Sequence, residues 1–124
     1  MAEKRMFSNK ILSDDRFISL PLSAQALYFH LCMAADDDGL INNAISILRT
    51  IGAKEEDLTK LQSSDYILCF NSGIIAVLHW NMHNHISKKL YKPSIFIEEK
   101  EYLQTSNTVY ARTMHELTAP NTNY

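Results

Sequence analysis

Apolar residues recur along the chain at spacings that divide it into short elements. In residues 6–20, small apolar clusters (Phe7, Ile11-Leu12, Phe17-Ile18, Leu20) alternate with polar positions. This pattern predicts an N-terminal strand or irregular arm and then a helical turn at about 14–18. Pro21 ends that segment, because its ring disfavours helix in the residue before it. Beyond it, Leu27, Leu31 and Ala34 fall on one helical face with His30 beside them. Ser23 is placed to cap this helix, and Leu22 and Leu27 to staple its start. Asp36-Asp37-Asp38-Gly39 stops the helix, with a glycine suited to a left-handed turn.

Leu40-Ile41 is a short extended piece. Asn42 or Asn43 then caps a second helix whose apolar positions are Ile45, Leu48 and Ile51, and Gly52 closes it. A third helix spans residue 54 to about residue 63. Glu55-Glu56-Asp57 complement its positive end, and Leu58 and Leu61 face inward. Residues 66–70 and 74–80 have strand composition, and Asn71-Ser72-Gly73 between them fits a bulged hairpin. A polar loop, Pro93, a strand or turn at 94–97 and a charged helical stretch at 98–103 follow. From Gln104 the chain is rich in Thr and Asn and is expected to be weakly ordered. The expected fold is α+β, mainly α. It is a winged helix-turn-helix over residues 1–100 with a two-stranded hairpin as wing, then a helical end and loose tail over 101–124.

Composition narrows the class. A chain of 124 residues that is 46% hydrophobic, with 3 Gly and 3 Pro, is one folded domain and not a disordered segment. The aliphatic run Ile74-Ile75-Ala76-Val77-Leu78 is far too short to span a bilayer. Met1-Ala2-Glu3-Lys4-Arg5 leads into polar residues with no apolar core of a secretion signal. Cys32 and Cys69 are expected to be reduced core thiols of a cytoplasmic protein.

The net charge of −2 conceals a split: residues 36–65 sum to −4, whereas residues 66–97 carry Lys88, Lys89 and Lys92 and no acid. Any nucleic-acid contact is therefore expected to be local, at residues 79–92, with residues 81–92 its best feature. There the lysines suit phosphates, Asn84 and His85 offer hydrogen bonds, and Tyr91 can stack on a base. Arg49 and Lys60, on the second and third helices, add positive charge. Three lysines support a salt slope of only about −3, so useful affinity requires an oligomer. The acidic start of the third helix repels phosphate, and the hairpin tip is uncharged.

Other chemistry is poorly supported. His79, His83 and His85 lack the Glu and the spacing of a zinc helix, and no cysteine is near, so no metal is expected. Asp36-Asp37-Asp38-Gly39 lacks the alternating carboxylates of a calcium loop and is expected to be a plain turn. His30 is expected to be a core or boundary histidine. No phosphate loop, nucleophile elbow or Cys-His pair stands out, so no catalysis and no cofactor is expected.

The blocks Arg5-Met6-Phe7-Ser8, Pro21-Leu22-Ser23-Ala24-Gln25-Ala26-Leu27-Tyr28-Phe29-His30-Leu31 and Ala35-Asp36-Asp37-Asp38-Gly39 stand in one collinear order with Ile51-Gly52-Ala53, His79-Trp80 and Tyr91-Lys92-Pro93. Over roughly residues 4–100 this resembles the N-terminal winged-helix region of phage replisome organiser proteins, related to DnaD-like replication initiation proteins of low-GC Gram-positive bacteria and their phages. The resemblance implies a phage or prophage protein in the cytoplasm of a bacterial host. Such a protein helps to start DNA replication by binding origin DNA or by scaffolding the helicase loader. The competing expectation is an interaction module that self-associates or docks a host or phage replication protein without binding DNA.

Overall fold

The computed structural model describes residues 4–118. Met1-Ala2-Glu3 and residues 119–124 lie outside the described residues, and with them part of the N-terminal reading and the end of the expected loose tail.

The arm at residues 6–20 is two single helical turns, α1 (Asn9–Leu12) and α2 (Asp15–Ile18), with no strand. The turn expected at 14–18 is present. Asp14 caps it by accepting from the Arg16 N–H at 2.8 Å. Next comes α3 (Leu22–Ala34), which starts directly after Pro21. Proline favours this place because its missing N–H is not needed in the first helical turn. The start therefore falls before Ser23, and the expected cap does not form. The Ser23 hydroxyl instead donates to Asp57 Oδ1 at 2.9 Å. Leu22 is 82% exposed, so there is no staple either. The inner face of α3 is Ala24, Leu27, Tyr28, Leu31 and Cys32, all buried, while His30 faces solvent and is not a core histidine.

β1 (Leu40–Ile41), α4 (Ala44–Ile51), α5 (Glu55–Ser63), β2 (Ile67–Cys69) and β3 (Ile75–Val77) follow. The two-stranded hairpin is part of a three-stranded antiparallel sheet in the order β1-β3-β2. Leu40 pairs with Ala76 and Ile67 with Val77. β1 adds a third strand because β3 would otherwise present unpaired N–H and C=O groups inside the protein. Leu58 and Leu61 of α5 are buried as expected. On α4 the buried residues are Ala44 and Leu48, whereas Ile45 lies at the surface. Gly52 ends α4 in the left-handed conformation, φ 76°. Cys32 is buried, but Cys69 is exposed and is not a core thiol.

Trp80 does not end a strand; it opens α6 (Trp80–His83). Two helices, α7 (Ile97–Thr105) and α8 (Val109–Thr118), complete the described chain. The tail expected to be loose from Gln104 is thus helical through Thr118. Leu103 and Tyr110 are both fully buried, and the Tyr110 hydroxyl donates to the Asp38 carbonyl at 2.8 Å. Residues just past 100 therefore belong to the same packed body. One core joins α3, the sheet and α5, with Phe17, Tyr28 and Tyr66 meeting edge to face at 5.4–5.8 Å. The protein is a mainly helical α+β fold. Among the described residues no helix is long and apolar enough to cross a membrane.

Candidate nucleic-acid interface

The lysine-bearing segment is positioned by the acidic turn after α3. That turn is far more than a plain stop. Asp36 Oδ1 accepts from the backbone N–H of Asp38 and Leu40, and its Oδ2 from the Ser94 hydroxyl at 2.6 Å. Asp37 accepts from Arg5 Nη1 at 3.1 Å and from the Lys92 N–H at 3.0 Å. Asp38 accepts from the Tyr91 hydroxyl at 2.7 Å and the Ser94 N–H at 2.8 Å, and pairs with Lys100 at 3.1 Å. Burial opposes the Lys100 charge, but bonds to Tyr91 and Asp38 outweigh it and raise the Lys100 pKa. Gly39 completes the turn at φ 83°, lying so close under Trp80 that a Cβ there would sit 2.6 Å from the indole Cγ. The Trp80 Nε1–H donates to the Asp37 carbonyl at 2.9 Å, which locks the ring in place.

The turn therefore anchors the 91–94 end of the segment directly and its start through Trp80, whose carbonyl accepts from the Asn84 N–H at 3.0 Å. Between the anchors, the N–H groups of Leu90 and Tyr91 both donate to the Ser87 carbonyl at 3.0 Å. This turn of chain sends Tyr91 inward to Asp38 and leaves Lys88, Lys89 and Leu90 exposed. Lys88, Lys89 and Lys92 are exposed, and among the described residues none pairs with a carboxylate. His85 is exposed beside them. Asn84, by contrast, is buried, and its Oδ1 accepts from the Met6 N–H at 2.9 Å. Its Nδ2 has no acceptor.

The predicted site residues thus divide. Asn84, His85 and Lys88 line one depression together with Trp80, Tyr91 and Lys100, and Asn84, His85 and Lys92 line a second beside the N-terminal arm. Lys89 is exposed on the same turn. Arg49 on α4 and Lys60 on α5 line neither depression. Arg49 is exposed, and Lys60 lies 3.5 Å from Glu56 one helical turn away. The hairpin tip is also occupied, because the Ser72 hydroxyl donates to Glu99 Oε2 of α7 at 2.7 Å.

Two of the three histidines are interior. His83 Nδ1 accepts from the Ser8 N–H at 2.8 Å, so its Nε2 carries the proton and donates to the Tyr28 hydroxyl at 2.7 Å. Burial, then nearby His79, push the His83 pKa down to about 4. Burial, followed by Arg16, lowers that of His79 too. Among the described residues no group of His, Cys, Asp and Glu could hold a metal ion.

Sequence reasoning did not bring Lys4, Arg5 and Met6 to this face. The Arg5 guanidinium lies 5.0 Å over the Trp80 ring, and its Nη2 donates to the Ala35 carbonyl at 2.7 Å. These contacts join residues 30 to 78 positions apart, and no local pattern encodes them. No protein-family model, no curated protein and no solved structure matches the chain.

Proposed function

We propose that the chain is a winged-helix DNA-binding module of a phage-type replication initiation protein, a replisome organiser, and that it acts without catalysis. The observation that carries this reading is the set of Lys88, Lys89 and Lys92. They are exposed, unpaired with any carboxylate among the described residues, and set in a stretch of chain with no acid. Such lysines release counterions when they meet phosphates. The order α3, β1, α4, α5, β2, β3 with sheet order β1-β3-β2 supports a winged helix, in which α4 and α5 form the helix-turn-helix.

The details favour a phosphate grip over base reading by α5. Glu55 and Glu56 are exposed at its start, and Lys60 is held by Glu56. The hairpin tip, tied to Glu99, is a poor wing for DNA. Lys88, Lys89 and Lys92 with His85 carry the contact, and Arg49 on α4 adds charge from the helix-turn-helix side. Asn84 acts by holding the segment in place. One copy binds weakly, so a homo-oligomer on DNA is part of the proposal.

Fluorescence anisotropy with labelled double- and single-stranded DNA across a salt series tests it. The expected slope of log affinity against log salt is about −3 per copy. Lys88→Ala/Lys89→Ala/Lys92→Ala should remove the slope and most of the affinity. Unchanged affinity in this variant overturns the site. A second reading, docking of a replication partner without DNA, is favoured by the exposed acid of α5; absence of DNA binding at low salt would select it.

A further inference from the structure

The second depression, beside the N-terminal arm, has a composition that phosphate binding does not explain. It is a groove of about 530 Å³ whose wall includes Lys4, Arg5, Met6, Ile86, Leu90 and Lys92. That volume lies within the range of about 300–1,000 Å³ found for sites that enclose small ligands. Leu90 is 75% exposed and Met6 48% exposed, so two large apolar side chains stand uncovered at one basic groove. Asp37 is the acid in the lining, and both of its carboxylate oxygens are already engaged, by Arg5 and by the Lys92 N–H. Behind the wall, Arg5 Nε and Asn84 Nδ2 are buried N–H donors with no acceptor. The groove therefore offers the positive charge of Lys4 and Lys92 beside the apolar side chains of Met6, Ile86 and Leu90.

We propose that this groove docks an acidic peptide segment of another protein, with a large apolar side chain set against Met6, Ile86 and Leu90 and its carboxylates facing Lys4 and Lys92. Charge complementarity selects the partner, since this is a local basic island on a chain of net charge −2. Apolar contact distinguishes a peptide from nucleic acid, whose backbone offers little to Leu90 or Met6. The wall is preformed: Met6 is held by Asn84, Ser8 by His83 and Arg5 by Asp37, so little ordering cost falls on binding. The groove shares Lys92 and His85 with the proposed DNA contact, but Lys88 and Lys89 lie outside its lining, so substitutions there separate the two.

The test is amide NMR titration of the full chain with short peptides in which Asp and Glu flank a central Phe, Leu or Trp. A single-stranded oligonucleotide is titrated in parallel. Binding in the micromolar range is expected, typical of a small transient interface, with shifts centred on Met6, Ile86, Leu90 and Lys92. Replacing the central apolar residue of the peptide by Ala should weaken binding about tenfold, and so should Leu90→Asp. Met6→Glu should act in the same direction, and Lys4→Glu should weaken binding about threefold. Lys88→Ala/Lys89→Ala should leave the peptide affinity unchanged while lowering that for DNA. No binding by any peptide below millimolar concentration overturns the proposal, as does full affinity in both Leu90→Asp and Met6→Glu. Shifts at Met6 and Leu90 with the oligonucleotide alone would assign the groove to nucleic acid and overturn it too.

Discussion

Asp36-Asp37-Asp38 and the lysines at 88, 89 and 92 are both dense runs of one charge, joined in space through the bond from the Lys92 N–H to Asp37. They meet opposite fates. The three carboxylates are surrounded by Arg5, Tyr91, Ser94 and Lys100, and the turn's backbone carbonyls take the donors of Trp80 and Tyr110. The three lysines carry their charge to water. A charge run becomes framework when donors from distant elements converge on it, and it remains available to a partner when none does. Net charge per segment does not distinguish the two cases, because burial and hydrogen bonding decide.

Substitutions on the two sides should separate them by size of effect. Gly39→Ala forces a left-handed backbone on a residue with a Cβ and drives that Cβ into a locked Trp80 ring. It should cost about 4 kcal/mol or more, read by urea unfolding. Asp38→Ala leaves Lys100 without its buried carboxylate and should cost about 3 kcal/mol in the same assay. A loss under 1 kcal/mol in either variant would break the contrast, because the acidic turn would then be no framework.

Acid should act next in magnitude. Free histidine titrates near 6.5 and native His83 near 4, so between those values the unfolded chain binds the extra proton and stability falls as pH falls. The expected loss attached to His83 is roughly 2–3 kcal/mol. His83→Gln can keep an acceptor for Ser8 and a donor for Tyr28 without titrating. Its stability should fall less steeply between pH 6.5 and 4 than that of the natural chain. Equal slopes would remove His83 from the account. The smallest effects belong to the basic side. Lys88→Ala, Lys89→Ala and Lys92→Ala should each change stability by no more than about 0.5 kcal/mol. A larger loss in thermal unfolding would mean that these lysines also serve the framework.

Local pattern made much of the helical and hairpin content legible. Leu27 with Leu31 and Leu58 with Leu61 mark the inner faces of α3 and α5, and Gly52 and Gly73 sit at positive φ where helix end and hairpin tip require it. What stayed hidden depended on distant partners. Leu40-Ile41 is too short to announce that it completes a sheet with β3. The helical stretch ending at Leu103 was legible, whereas the Thr and Asn content after Gln104 masked α8 and its buried anchor Tyr110. At the candidate site the lysines could be found by composition. The burial of Asn84 and the wall built by Arg5 and Met6 could not, because each depends on the N-terminal arm meeting residues 30 to 78 positions away.

The arm bearing Lys4 to Ser8 is held by no strand pairing. Its Met6 and Ser8 N–H groups bond to side chains 78 and 75 residues further on. During synthesis at about 5–20 residues per second, those partners are made roughly 4–15 seconds after the arm itself. The arm is therefore made well before the partners that place it, and the basic groove comes into being only once the chain has been made through Lys92.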